Sequence, residues 1–183
     1  MKLGTKSLLF GAHQFILHPI FVAIAYTRLY GFTFDPRIWI AFIVHDWGYW
    51  GKSDIDGKEG KTHPILGAKI MHELFDDSTL SSYTTELGAF SIRSRMWYEF
   101  TLYHSRFYAK NDGVQFSKLC YADKLAFSVP PMWLYLLLVN LTGEIHEYLN
   151  DELKPSLTNQ IMWYKSLKIH FHNWILDHKN KTN

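Results

Sequence analysis

The stretch Val44-His45-Asp46-Trp47-Gly48-Tyr49 sets an imidazole beside a carboxylate at the end of an apolar run, Ile38-Trp39-Ile40-Ala41-Phe42-Ile43. A helix through it puts Ala41, Phe42 and Tyr49 next to His45, and Phe42, Ile43 and Trp50 next to Asp46. A carboxylate in such company is costly unless it gains a partner, and a metal ion is the partner that would use both side chains. A plain hydrogen-bonded His-Asp pair is the alternative. Further ligands decide between them, and four candidates exist. His18 has Gln14, Phe15, Phe21 and Val22 at helical spacing, and His63 stands at the mouth of a helix. His104 lies among Phe100, Thr101, Phe107 and Tyr108, and Asp123 among Leu119, Ala126 and Phe127. Each alone reads as a satisfied core residue. Two carboxylates and four imidazoles turned inward read as a ligand set suited to iron, manganese, zinc or nickel.

The elements that would position these residues are helical, because apolar residues recur at helical spacing and clean period-2 runs are scarce. A first helical region spans 5–30, broken or kinked at Pro19 and stopped by Gly31. Asp35-Pro36 supplies a cap and a first-turn proline for the helix that ends in the His-Asp pair. Residues 51–62 form a polar loop rich in glycine and lysine, and His63-Pro64 opens a helix over 64–75. A loop over 76–82 and an ambiguous stretch, 83–90, precede a long helix over 91–110. Ser117 can cap a helix over 118–128, which Pro130-Pro131 ends. Helices over 132–141, 143–150 and 156–178 follow, with a polar tail.

Composition bounds the reading. With 183 residues, 48% of them apolar, the chain suits one folded domain with a sizeable core rather than disorder. A net charge of +2 is too small to indicate nucleic acid. A single cysteine, Cys120, rules out an internal disulfide framework and fits a reducing compartment. The start lacks a signal-like apolar stretch. The greasiest windows, 8–30 and 129–141, are interrupted or too short to span a bilayer. A cytoplasmic protein with no membrane partner is expected.

The order His18, His45-Asp46, His63, His104, Asp123 resembles that of the HD-domain metal-dependent phosphohydrolase superfamily. Leu17-His18-Pro19-Ile20-Phe21-Val22-Ala23 looks like the family's first metal helix, and His45-Asp46-Trp47-Gly48 like its namesake motif. His63-Pro64-Ile65-Leu66-Gly67-Ala68 looks like the third element, and Tyr121-Ala122-Asp123-Lys124-Leu125-Ala126 like the closing one. His13 rivals His18 as first ligand, but Val22-Ala23 lies where the family pattern expects it after His18. The resemblance implies a single all-α HD-like helical bundle over 1–183. Its metal core would cover 17–127, with C-terminal helices over 131–178 completing the fold. It implies one or two divalent transition metals; His63 and His104 resemble the extra ligands of the binuclear branch, and Asp46 would then bridge. The chain departs from the HD-GYP cyclic-dinucleotide phosphodiesterases, having Tyr49 where they carry lysine and no Gly-Tyr-Pro motif. It departs from the HD nucleotidases, which carry glutamate at that position.

The activity expected from the resemblance is hydrolysis of a phosphomonoester or phosphodiester, the substrate a small phosphorylated molecule such as a nucleotide. Metal would lower the pKa of water toward ~7, and Asp46 would orient the attacking oxygen. Tyr49 would assist the leaving group or merely pack. Among the cations Lys52, Lys58, Lys61, Arg106, Lys110 and Lys124, the first choice for the phosphate is Lys52 with Lys61, whose loop joins two ligand-bearing segments. Arg106 would lie about 200° round an unbroken helix from His104 and so point elsewhere. Two other readings share the ligand set: a di-iron oxygenase that cleaves a C–C or C–P bond, and a non-catalytic module that keeps a metal.

Overall fold

The computed structural model describes residues 1–76, 81–85, 88–92, 95–149 and 156–179. Helices carry this fold, which is all-α: α1 (Leu3–Phe10), α2 (Leu17–Tyr30), α3 (Pro36–Val44), α4 (Pro64–Phe75) and α5 (Met96–Leu102) form the first half. The second half is α6 (Arg106–Asn111), α7 (Lys118–Ala126), α8 (Met132–Thr142), α9 (Glu144–Leu149) and α10 (Leu157–Lys179). Short 3-10 turns at Trp47–Tyr49 and Gly60–Thr62 bracket the polar loop. One antiparallel hairpin, β1 (Ser81–Thr85) with β2 (Gly88–Ile92), interrupts the helices; Thr85 pairs with Gly88 and Ser81 with Ile92. Among the described residues, no helix is long and apolar enough to cross a membrane.

Local chemistry sets the ends of the site-bearing helices. The Asp35 carboxylate accepts the Arg37 N–H at 3.0 Å with Pro36 at the first helical position, so α3 starts where the sequence placed it. Ser117 does the same for α7, accepting from the Cys120 N–H at 3.3 Å. α3 ends at Val44, and His45 and Asp46 lead into the 3-10 turn instead of continuing the helix. α4 lies directly against this turn. A Cβ on Gly67 would meet Val44 O at 2.6 Å and His45 Cα at 2.9 Å, and one on Gly48 would overlap the His63 carbonyl. Glycine at both positions lets the segment carrying His63 close on the one carrying His45 and Asp46. A core of Val22, Phe42, Met71, Leu119 and Ala122 holds α2, α3, α4 and α7 together, and a second cluster, including Tyr135, Val139, Ile145 and Tyr164, joins α8 to α9 and α10.

Three expectations change. The first helical region breaks at residues 11–16, not at Pro19, which occupies the third helical position of α2. A proline there removes an N–H that has no intrahelical partner, so it costs the helix little. The long helix expected over 91–110 is not continuous. Ser91 and Ile92 belong to β2, and α5 stops at Leu102 in short-range closures, His104 N–H to Thr101 O and Ser105 N–H to Leu102 O. Ser105 then takes an extended conformation and α6 starts afresh. The ambiguous stretch 83–90 falls in the hairpin, apart from residues 86–87. Ser81 and Ser82, expected in the loop over 76–82, belong to β1. Residues 86–87, residues 77–80 of the expected loop, residues 93–94 of the expected long helix, residues 150–155 and the end of the polar tail lie outside the described residues. The other helices end within a residue or two of their expected bounds.

Candidate metal centre

Six side chains from five segments meet around the carboxylate of Asp46. His18 comes from the first turn of α2, His45 and Asp46 from the end of α3, and His63 from the entrance to α4. His104 comes from the turn between α5 and α6, and Asp123 from the middle of α7. Asp46 Oδ2 lies 3.1 Å from His18 Nε2 and 3.3 Å from His45 Nε2. Asp123 Oδ1 completes that side, 3.2 Å from His18 Nε2 and 3.8 Å from His45 Nε2. The other oxygen, Oδ1, lies 3.4 Å from His63 Nε2 and 3.6 Å from His104 Nε2. Two groups that could each hold a metal ion therefore share one carboxylate: His18, His45, Asp46 and Asp123, and Asp46, His63 and His104.

The hydrogen bonds behind these side chains fit a cation. His45 Nδ1–H donates to Phe42 O at 3.0 Å, His63 Nδ1–H to Gly60 O at 2.7 Å, and His104 Nδ1–H to Thr101 O at 2.5 Å. Each carbonyl assigns the ring proton to Nδ1 and leaves the Nε2 lone pair facing inward, the tautomer a metal ligand requires. His63 Nε2 and His104 Nε2 then face each other at 3.1 Å, and His18 Nε2 faces His45 Nε2 at 3.2 Å. Facing lone pairs repel unless a proton or a metal lies between them. Asp46 Oδ2 is buried, and no protein N–H or O–H is aligned to donate to it. A buried carboxylate oxygen left so is costly, and a metal ion removes the cost. The donor set, imidazole with carboxylate, suits a divalent transition metal.

Electrostatics without a metal show how much is stored here. Burial alone would raise the Asp46 carboxyl, but the surrounding imidazoles, His45 foremost, hold it well below its ordinary value. Burial likewise opposes ionisation of Asp123, but Lys124, Nζ 2.7 Å from Asp123 Oδ2, together with His18 and His45 drives that carboxyl well down. Burial would lower His45; Asp46 and Asp123 reverse this and lift it to about 10. Burial dominates at His63 and His104, and both fall below 6.5, His63 well below it. His45 thus adds stability that is complete below 6.5 and drains away as pH rises toward 10. His63 and His104 add stability that is present above 6.5 and is lost as pH falls through their depressed values. The chelated protein should therefore melt highest near pH 6.5 and lower on either side, as differential scanning fluorimetry from about pH 5 to about pH 10 would record. A melting temperature that climbs without a maximum across that range would contradict this balance.

A cavity of about 440 Å³ opens on the His18 and Asp123 side. Its polar lining includes His13, Tyr49, Arg106 and Lys124, and its far wall is aromatic, with Tyr135, Tyr148, Trp163 and Phe171 from α8, α9 and α10. Tyr49 lines it and stacks on the His63 ring, centroids 4.0 Å apart. Lys52 and Lys61 lie outside this lining; Lys61 Nζ sits over the Phe107 ring at 5.7 Å. Arg106 does line the cavity, contrary to expectation, because the break at Tyr103–Ser105 removes the continuous helix on which the angle rested. Its guanidinium stacks over Phe171 at 5.1 Å and Trp174 at 5.6 Å. The loop 51–62 reaches the cavity through Asp56, and the N–H groups of Ile55 and Asp56 donate to Glu147 Oε2 at 2.9 and 3.2 Å.

His13 is not in the cluster. Its ring lies 5.5 Å from that of His18, and its Nδ1 turns to Ser7 Oγ at 2.8 Å and Glu144 Oε2 at 3.6 Å. Glu144 is wholly buried, and nothing in the sequence separates it from the neighbouring acid Glu147. The aromatic wall was equally hidden, since aromatics at helical spacing read as core. Comparison with protein-family models, curated proteins and solved structures finds no match. The function has to be argued from the site itself.

Proposed function

We propose that this chain is a metal-dependent phosphohydrolase that releases phosphate from, or cleaves, a small phosphate ester, as the resemblance to the HD-domain superfamily implies. The observation that carries the reading is the shared Asp46 carboxylate, one oxygen toward His18, His45 and Asp123 and the other toward His63 and His104. Two metals held there would lower the pKa of water to about 7 and offset phosphoryl charge. The chain's own residues do the rest. Arg106 and Lys124, both in the cavity lining, bind the phosphoryl oxygens, the part first expected of Lys52 and Lys61. Stacking on Phe171 and Trp174 holds the Arg106 fork in place before substrate arrives. Lys124 Nζ, anchored by Asp123 Oδ2, stands beside the ligands. Burial raises the Tyr49 phenol well above 10, so it keeps its proton and donates a hydrogen bond to the leaving oxygen. The aromatic wall excludes water from the ester's organic part.

The test is a panel of phosphomonoesters and phosphodiesters assayed with manganese, iron, zinc or nickel, with released phosphate or alcohol as the readout. Turnover that disappears on chelation supports the reading. Oxygen consumption by the iron form with no phosphate-ester turnover would replace it with the oxygenase reading. Arg106→Ala should lower kcat/KM about ten- to hundredfold, mostly through KM, because it removes one charge-assisted contact to an anion. Bound metal should not change, since among the described residues no hydrogen bond or ion pair joins Arg106 to the six cluster residues. Lys52→Ala and Lys61→Ala should stay near wild type, and an equal loss in either would return the phosphate to the loop.

A further inference from the structure

The cavity beside the metal centre holds charges of both signs, sorted by the element that carries them. Arg106 of α6 and Lys124 of α7 line it, Lys124 Nζ lying 2.7 Å from Asp123 Oδ2. Burial and then Asp123 act most strongly on the Lys124 ammonium, and Arg106 is close enough to act on it as well. Asp56 of the loop 51–62 and Glu147 of α9 line the same cavity with the aromatic wall. These two acids are joined, since Glu147 Oε2 accepts the N–H groups of Ile55 and Asp56 at 2.9 and 3.2 Å. Burial holds the Tyr49, Tyr135 and Tyr148 phenols well above 10, and the Asp56 carboxylate adds to the effect at all three. Its charge therefore reaches into the cavity. Among the described residues no Lys, Arg or His lies within ion-pair distance of Asp56 or Glu147, and no donor reaches Glu147 Oε1. His13, a further basic group in the lining, is already turned to Glu144.

We propose that the ester this cavity takes carries an ammonium group on its alcohol part, so that the substrate is a zwitterion. The inference rests on the phosphohydrolase reading for its other end, where Arg106 and Lys124 bind the phosphoryl oxygens. Tyr49, assigned above to the leaving oxygen, feels both Asp46 of the cluster and Asp56 of the loop. The alcohol part thus runs from the metals past Tyr49 toward the two free carboxylates. There an ammonium group meets Asp56, Glu147 and a set of aromatic rings in mutual contact. Tyr148 stacks on Trp163 with centroids 5.3 Å apart, and Tyr135 stacks on Trp163 at 6.3 Å. Carboxylates beside aromatic faces select a cation. A second phosphate would meet like charge there, and an uncharged alcohol part would leave both acids without a counter-ion.

Two pairs of esters test this, each matched in shape and different in charge: 2-aminoethyl phosphate with propyl phosphate, and phosphocholine with 3,3-dimethylbutyl phosphate. Turnover, and binding by calorimetry, are measured on the metal-loaded protein. The charged member of each pair should have the higher kcat/KM by about ten- to hundredfold, mostly through KM. Asp56→Asn with Glu147→Gln should shrink that ratio below about threefold at unchanged metal content, since the glutamine oxygen still accepts the two loop N–H groups. Asp56→Asn alone, at an exposed side chain, should shrink it severalfold and carries the test if the double variant does not fold. Equal kcat/KM within each pair overturns the proposal and leaves the phosphohydrolase reading standing, as does a nucleoside monophosphate preferred to all four esters. Tighter binding of the charged members with no turnover overturns the hydrolase reading and upholds the zwitterion. No turnover with equal binding, or with none, overturns both.

Discussion

Asp46→Ala is expected to lose most of the bound metal and to leave less than about 1% of wild-type activity. Its two oxygens face different imidazole pairs, so this one change takes a ligand from both halves of the cluster. Even partners that only orient a ligand cost ten- to hundredfold, about 1.4 to 2.7 kcal/mol, and a shared ligand costs more. His63→Ala or His104→Ala should behave differently. Each leaves His18, His45, Asp46 and Asp123 in place, so metal should fall toward half the wild-type content. Elemental analysis of the three variants, purified in parallel, gives the comparison. Equal metal loss in all three would mean one shared site, with His63 and His104 assisting it. Unchanged metal in both histidine variants would confine binding to the His18 side.

Glu144→Ala should destabilise the fold by about 3–5 kcal/mol, a drop in melting temperature on the order of 10 °C for a chain of this size. Glu144 is fully buried, and its carboxylate collects four groups from two ends of the sequence. Oε1 accepts from the Ala12 N–H at 3.1 Å and the Thr142 hydroxyl at 2.6 Å. Oε2 accepts from the Tyr148 hydroxyl at 3.1 Å and faces His13 Nδ1 at 3.6 Å. Truncation strands these donors, and removal of one partner costs more than the bond itself. Glu144→Gln should cost less, since its amide keeps the Oε1-type acceptor. Urea unfolding of both variants measures it. A loss below about 1 kcal/mol for the alanine variant would show that Ala12, Thr142 and Tyr148 find other partners.

What the sequence disclosed follows from the range of the interactions involved. Caps such as Asp35-Pro36 and Ser117 act over two or three residues, so α3 and α7 start where expected. The inward aspect of His18, His45, His104 and Asp123 follows from apolar neighbours at helical spacing, again a local property. The break after Leu102 has no proline or glycine to announce it. It rests on tertiary contacts such as Ser117 N–H to Tyr103 O, 3.2 Å across fourteen residues of chain, and it turns Arg106 toward the cavity. The Glu144 contact with the Ala12 N–H spans 132 residues, and nothing local marks either end. The cavity's aromatic wall has the same origin: Tyr148 and Trp163 stack with centroids 5.3 Å apart, and a helical repeat of aromatics reads the same whether it faces a core or a substrate.

Anomalous diffraction from crystals grown with manganese, with data collected on either side of the metal absorption edge, bears most directly on the shared carboxylate. Two peaks are expected, about 3.5–4 Å apart and on opposite sides of Asp46. One should lie within about 2.3 Å of His18, His45 and Asp123, and the other within the same distance of His63 and His104. No peak between these residues, with the His63–His104 Nε2 separation still near 3.1 Å, would mean that protons alone hold the cluster together and would contradict a metal centre.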